Sequence, residues 1–178
     1  MVIALSGRRI DAVDAKESRF PLANVDLVRQ RIRSMLKAQG PRALVSSAAC
    51  GADLIALSEA NSVGLASRIV LPSSREHFKQ NSVTDRPGDW GEIYDKVMDA
   101  ASADGNLIFL DQTSPKPNYY SASRAILDEA AALAEKLGTF ASAALIWDGV
   151  SRGDHDVTEE FGKEARKRGL PVVEVSTL

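Results

Sequence analysis

Six short apolar runs punctuate the chain: Val2 to Ser6 (VIALS), Ala43 to Ser47 (ALVSS), Ser67 to Leu71 (SRIVL), Asn106 to Leu110 (NLIFL), Ala143 to Trp147 (AALIW) and Val172 to Val175 (VVEV). Most are almost uniformly apolar, as strands covered by helices on both faces should be. The stretches between them carry helical periodicity. Val25, Val28, Ile32, Met35 and Leu36 recur at helical spacing before a Gly40-Pro41 stop,. Gly51 to Val63 reads as a helix ended by Gly64, which makes 43–71 a β-α-β unit with a very short first connection,. Further helices are predicted over 90–102, 121–137 and 157–168. The last opens on Asp156, three residues before Glu159 as in a capping box, and closes at Gly169 and Pro171,. Residues 10–21 and 80–89 are expected to be irregular. This alternation predicts an α/β, Rossmann-like, doubly wound and mostly parallel sheet of about six strands.

Composition narrows the class. With 178 residues, 44% hydrophobic and 26% charged, the chain is expected to form one packed domain over 1–178 and not a disordered tail, a collagen-like repeat or a disulfide scaffold. Lys and Arg number 22 against 24 Asp and Glu, for a formal charge of -2. No global positive field exists to draw in a polyanion, so general nucleic-acid or membrane-surface binding is not expected. The single cysteine, Cys50, has no intramolecular partner, no apolar run reaches the length of a membrane span, and the N-terminus lacks the features of a signal peptide,. A reducing, cytoplasmic setting is the expectation.

In such a sheet ligands bind at the carboxyl ends of the strands, and four segments there are unusually polar. Ser6-Gly7-Arg8-Arg9 follows the first strand, and Arg9 is the guanidinium expected to meet a ligand, ahead of Arg8,. Ser46, Ser47, Gly51 and Asp53 surround the start of the second helix, where small residues and backbone N–H groups suit a phosphate or ribose; tight strand-to-helix packing is the alternative,. On the phosphate reading, Gly51→Val blocks the ligand and spares the fold. Pro72 and Arg75 follow the third strand. Asp148, Gly149, Gly153, Asp154 and Thr158 follow the fifth. Cys50 reads as a small packing thiol and Trp90 as a helix anchor. His77 and His155 lack metal-ligand spacing, so neither metal nor cofactor is expected,.

Together SGRR, VSSAACGADLIALSEA, IVLPSSREHFKQNSV and ALIWDGVSRGDHDVTEEF resemble the SLOG superfamily, Rossmann-like domains related to DprA and the LOG enzymes. The resemblance covers nearly the whole chain and implies binding of a nucleotide-derived ligand. It assigns Gly7 and Arg9 to the first loop, Ser46, Ser47, Gly51 and Asp53 to the second, and Pro72 and Arg75 to the third. Asp148, Gly149, Gly153, Asp154 and Thr158 fall in the fourth. LOG-type hydrolases carry Pro-Gly-Gly-X-Gly-Thr-X-X-Glu; here Thr158 matches the threonine, Phe161 holds the glutamate position and the double glycine is missing. The leading expectation is therefore binding or sensing of a nucleotide or nucleoside derivative. The alternative is an N-glycosidic-bond hydrolase or ribosyl transferase using Asp148, Asp154 or Glu159. A small molecule is the expected partner, and a homodimer is left open.

Overall fold

The computed structural model describes residues 1–113 and 116–178. Its strands are β1 (Val2–Gly7), β2 (Ala43–Ser46), β3 (Ala66–Leu71), β4 (Leu107–Phe109), β5 (Ala141–Trp147) and β6 (Val172–Ser176). Its helices are α1 (Val25–Gln39), α2 (Ala52–Ser62), α3 (Arg75–Ser82), α4 (Trp90–Ala103), α5 (Tyr119–Lys136) and α6 (Val157–Lys167), with a single 3-10 turn at Leu22–Asn24. The fourth strand is shorter than its apolar run. Even so, Asn106 O accepts from Ile69 N at 2.9 Å and Leu110 N donates to Leu71 O at 3.0 Å, so the ladder continues past both ends.

One expectation is corrected. Residues 80–82, read as the start of an irregular segment, are the last turn of α3. That helix has a single large apolar residue, Phe78, so it carries no amphipathic stripe. Its start is instead set by Ser74, whose hydroxyl accepts from His77 N at 3.3 Å,.

The sheet runs β4-β3-β2-β1-β5-β6, and every pairing is parallel. From β1 the chain winds outward to β4, then crosses back through α5 to the other side of β1. The order reverses between β1 and β5, and a crevice opens at that point beyond the carboxyl ends. Strand residues alternate between two cores. Ile3, Leu5, Leu44, Ala144 and Ile146 meet α1, α2 and α4 through Val28, Ile32, Leu54, Ile55 and Met98. Val2, Ala4, Val45, Ala143 and Leu145 meet α5 and α6 through Ile126, Leu127, Ala130, Phe161 and Ala165. Burial on both faces is why these strands read as continuous apolar runs. Among the described residues no helix is long and apolar enough to cross a membrane.

Candidate functional site

A cleft of about 240 Å³ crosses the carboxyl ends of β3, β2, β1 and β5. Of the residues singled out for ligand contact, Gly7, Arg9, Ser47, Asp53, Pro72 and Thr158 line it. Phe78 and Ser82 of α3, Tyr119, Ser123 and Ile126 of α5, and Arg152 and His155 of the β5–α6 connection complete the walls. Strands lie about 4.8 Å apart, so the β2 and β5 sides of the cleft are separated by roughly 10 Å.

On the β2 side the turn into α2 is closed by protein. Cys50 N donates to Ser82 O at 2.9 Å and Ala52 N to Arg8 O at 3.1 Å, so two of the backbone donors at this turn are already used. Asp53, in the first turn of α2, places a carboxyl at the positive end of the helix dipole,. Its Oδ2 accepts from Ser47 Oγ at 2.6 Å and Ala49 N at 3.4 Å, while its Oδ1 is buried with no partner. Burial pushes this carboxyl up to about 6, against the pull of Ser47 and the Ala49 and Gly7 N–H groups,.

Gly51 is required by packing. Its φ is +93°, and a Cβ there would lie 2.8 Å from Arg8 O and 2.9 Å from Ile10 N. Gly51→Val is therefore expected to cost stability, where the sequence alone suggested no cost to the fold: the glycine lets two backbone segments touch. Ser46 lies beneath the cleft, fully buried, its hydroxyl donating to Leu5 O at 3.0 Å. Cys50 is buried beside this turn, and burial raises its thiol pKa.

Arg8 organises the β5 side. It is 2% exposed and pairs through Nε with Asp148 at 2.8 Å and through Nη1 with Asp156 at 2.6 Å. Its Nη2 donates to Val150 O at 2.6 Å, and its guanidinium lies 5.4 Å from the Trp147 ring centroid,. Arg19 joins from the 10–21 segment, donating to Asp148 at 2.7 Å and Val150 O at 3.0 Å. Asp156 caps α6, accepting from Thr158 N and Glu159 N at 3.1 Å each, and from Arg152 N at 2.8 Å. Burial opposes the charge of Asp156, but Arg8 and the N–H groups of Arg152 and Glu159 bring its pKa down to about 2. Only half of a capping box forms, because Glu159 turns its carboxylate to Ser151 Oγ at 2.6 Å,.

The remaining sequence candidates fall outside the cleft. Arg75 is bound to α4, through Asp99 at 2.7 Å and Asp95 at 3.4 Å. Asp148 is spent on two arginines. Gly149 and Gly153 take positive φ in the β5–α6 connection, which the run of polar and glycine residues there had signalled,. Asp154, Gly153 and Glu159 border a separate depression with Ser151 and Lys163. Among the described residues no three His, Cys, Asp or Glu side chains gather as a metal site.

Two cations remain in the cleft. Arg9 forms an ion pair with Asp85 in the α3–α4 connection, and its Nε is buried without a partner. Arg9 thus reaches the cleft with a protein carboxylate as one partner. Arg152 is exposed and makes no ion pair among the described residues; partial desolvation at the cleft and the nearby Arg8 cation lower its pKa, with Asp156 and Asp148 acting only from a distance. Sequence reasoning named Arg152 only as one of three arginines able to offset the acidic turn, and it missed Tyr119 and Ser82 as cleft residues. Arg152 stands out as the one arginine in the polar turn after β5, whereas Ser82 reaches the cleft at the end of α3 and meets Tyr119, 3.0 Å away, only because α5 crosses back over the sheet.

No protein-family model matches the chain, and no curated protein matches it. Among solved structures it is similar to the X-ray structure of DNA processing protein A (DprA) from Streptococcus pneumoniae, at 13% identity and a TM-score of 0.42. That likeness covers 97% of this chain and 58% of the other, and it extends to the fold alone.

Proposed function

We propose that the cleft binds a nucleotide or nucleoside derivative, with its anionic group against Arg152 and its hydroxyl groups against Ser47 and Asp53. One observation carries this reading: a single crevice at the strand-order reversal holds a buried carboxyl with an unpartnered oxygen on one side and an arginine without an ion pair on the other. A buried oxygen with no partner gains from a ligand donor, and an exposed arginine at the cleft mouth with no carboxylate in contact, and with the like charge of Arg8 nearby, gains from a ligand anion,. The apolar lining at Pro72, Phe78 and Ile126 suits the flat base of such a ligand,. Titration calorimetry with AMP and adenosine tests the reading. Arg152→Ala is expected to weaken AMP by about 1.5–3 kcal/mol and leave adenosine unchanged. Asp53→Asn weakens both. Absence of binding by either compound at millimolar concentration rejects the reading.

A second reading, N-glycosidic-bond cleavage, is favoured by the pKa of Asp53, which at about 6 leaves the group able to give or take a proton near neutral pH,. It moves the acid from Asp148, Asp154 or Glu159 to Asp53, the cleft carboxyl that no arginine neutralises by direct contact. Base release from nucleosides, lost in Asp53→Asn with affinity retained, would establish it.

A further inference from the structure

The sequence read Arg9 as a ligand cation, yet Arg9 already has a partner. Asp85, from the α3–α4 connection, pairs with it from behind the cleft wall, and Arg86 Nη1 approaches the other oxygen of the same carboxylate at 3.8 Å. The side chains of Arg9 and Asp85 are 26% and 30% exposed, so neither is locked away from solvent. Both Arg9 Nε and Arg86 Nε are buried without a partner, so each guanidinium keeps unused donor capacity. With Asp53 ionised, the four charges on this side (Arg9, Arg86, Asp53 and Asp85) cancel.

We propose that Asp85 is a specificity-determining residue: by neutralising Arg9 it leaves the cleft one cationic end, at Arg152, and restricts the site to ligands charged at one end only. The proposal rests on the nucleotide reading of the cleft and deepens it. A ligand carrying its anion at Arg152 meets, roughly 10 Å away across two strand spacings, a wall where the Ser47 hydroxyl and the Asp53 carboxyl stand beside the mutually neutralised Arg9 and Asp85,. A second anionic group at that wall has no free cation to receive it and meets the carboxyl of Asp53. Such a site takes a nucleoside monophosphate and rejects a nucleoside with phosphates on both sides of the ribose. Removing the Asp85 charge frees Arg9 for a second anion.

Calorimetry of wild type, Asp85→Asn and Asp85→Asn/Arg9→Ala tests this with AMP, adenosine 3′,5′-bisphosphate and inorganic pyrophosphate. Wild type is expected to bind AMP at least tenfold tighter than the bisphosphate. In Asp85→Asn the gap closes to within threefold while AMP stays within twofold of wild type, and pyrophosphate binds at least tenfold tighter than to wild type. The added Arg9→Ala change removes both gains. A gap that persists in Asp85→Asn overturns the proposal. So does a tenfold loss of AMP affinity in that variant, which would make Asp85 a support that positions Arg9 for ligand contact. If wild type binds no AMP, the nucleotide reading fails. The pyrophosphate arm then decides the charge role: a gain that depends on Arg9 sustains it, and no gain ends it.

Discussion

Between β2 and α2 the chain turns within 47–51, whereas between β5 and α6 it needs 148–156. Both turns bring a helix N-terminus to the same cleft beside β1. The short turn gives the N–H groups of Cys50 and Ala52 to carbonyls of Ser82 and Arg8, and its carboxyl, Asp53, has no cation in contact and a pKa of about 6. The long turn is strung on a buried arginine, and its carboxyl, Asp156, is drawn down to about 2. The turn whose sequence looks like a phosphate cradle packs its glycine against the Arg8–Ile10 backbone and turns Ser47 and Asp53 to the cleft. The turn whose sequence looks like an acidic cap leaves an unpaired arginine at the cleft. Small residues and glycines therefore report close backbone approach, and whether a ligand or another backbone makes that approach is a separate question.

Arg8→Ala breaks the long turn and should have the largest effect. It strands two carboxylates whose side chains are 3% and 1% exposed, so a loss of about 3–5 kcal/mol is expected in urea denaturation,. A loss under about 1 kcal/mol would mean that Arg19 alone holds Asp148 and the turn.

The two carboxyls should also respond to pH in opposite senses. Asp53 has a folded pKa above its unfolded one, so the folded state binds the proton more tightly. Stability then falls as pH rises from 3.8 to about 6, by up to about 3 kcal/mol, and stays lower above that,. Asp156 has a folded pKa below its unfolded one, so its contribution is present above pH 3.8 and is lost as pH falls toward about 2,. Asp53→Asn should abolish the limb between pH 3.8 and about 6 and leave the acid limb in place. Denaturant titrations across pH 2–8 check both, and an unaltered upper limb in the variant would remove Asp53 as its source.

Gly51→Val breaks the short turn through strain at a positive φ and contact with the Arg8 and Ile10 backbone, at an expected cost of about 1–3 kcal/mol,. Thermal unfolding measures it. A variant as stable as wild type would show that the 8–10 segment moves aside freely, and would return Gly51 to the role of a ligand-approach glycine.

The strands and most helices were legible because their signals are local. Apolar runs of four or five residues bounded by turns mark β1 to β6, and the periodic stripe of Val28, Ile32, Met35 and Leu36 marks α1,. Helix α3 was not legible, since a polar helix with one buried phenylalanine has no periodicity to read. In the cleft, Gly7, Ser47, Asp53, Pro72 and Thr158 followed from one rule, that polar residues just past strand ends gather at the sheet's carboxyl edge,.

The amino-acid sequence by itself determined that the chain makes parallel βα units and which strand ends are polar, because those properties depend on residues a few positions apart. Only the tertiary structure decided which polar groups spend themselves on one another. Arg8 lies 140 and 148 positions from Asp148 and Asp156, and Arg9 lies 76 from Asp85. Ion pairing across such separations is set by strand order and crossover geometry. Neighbouring arginines that read alike therefore became different things: one a buried strut under the β5–α6 turn, the other a cleft cation already answered by a carboxylate.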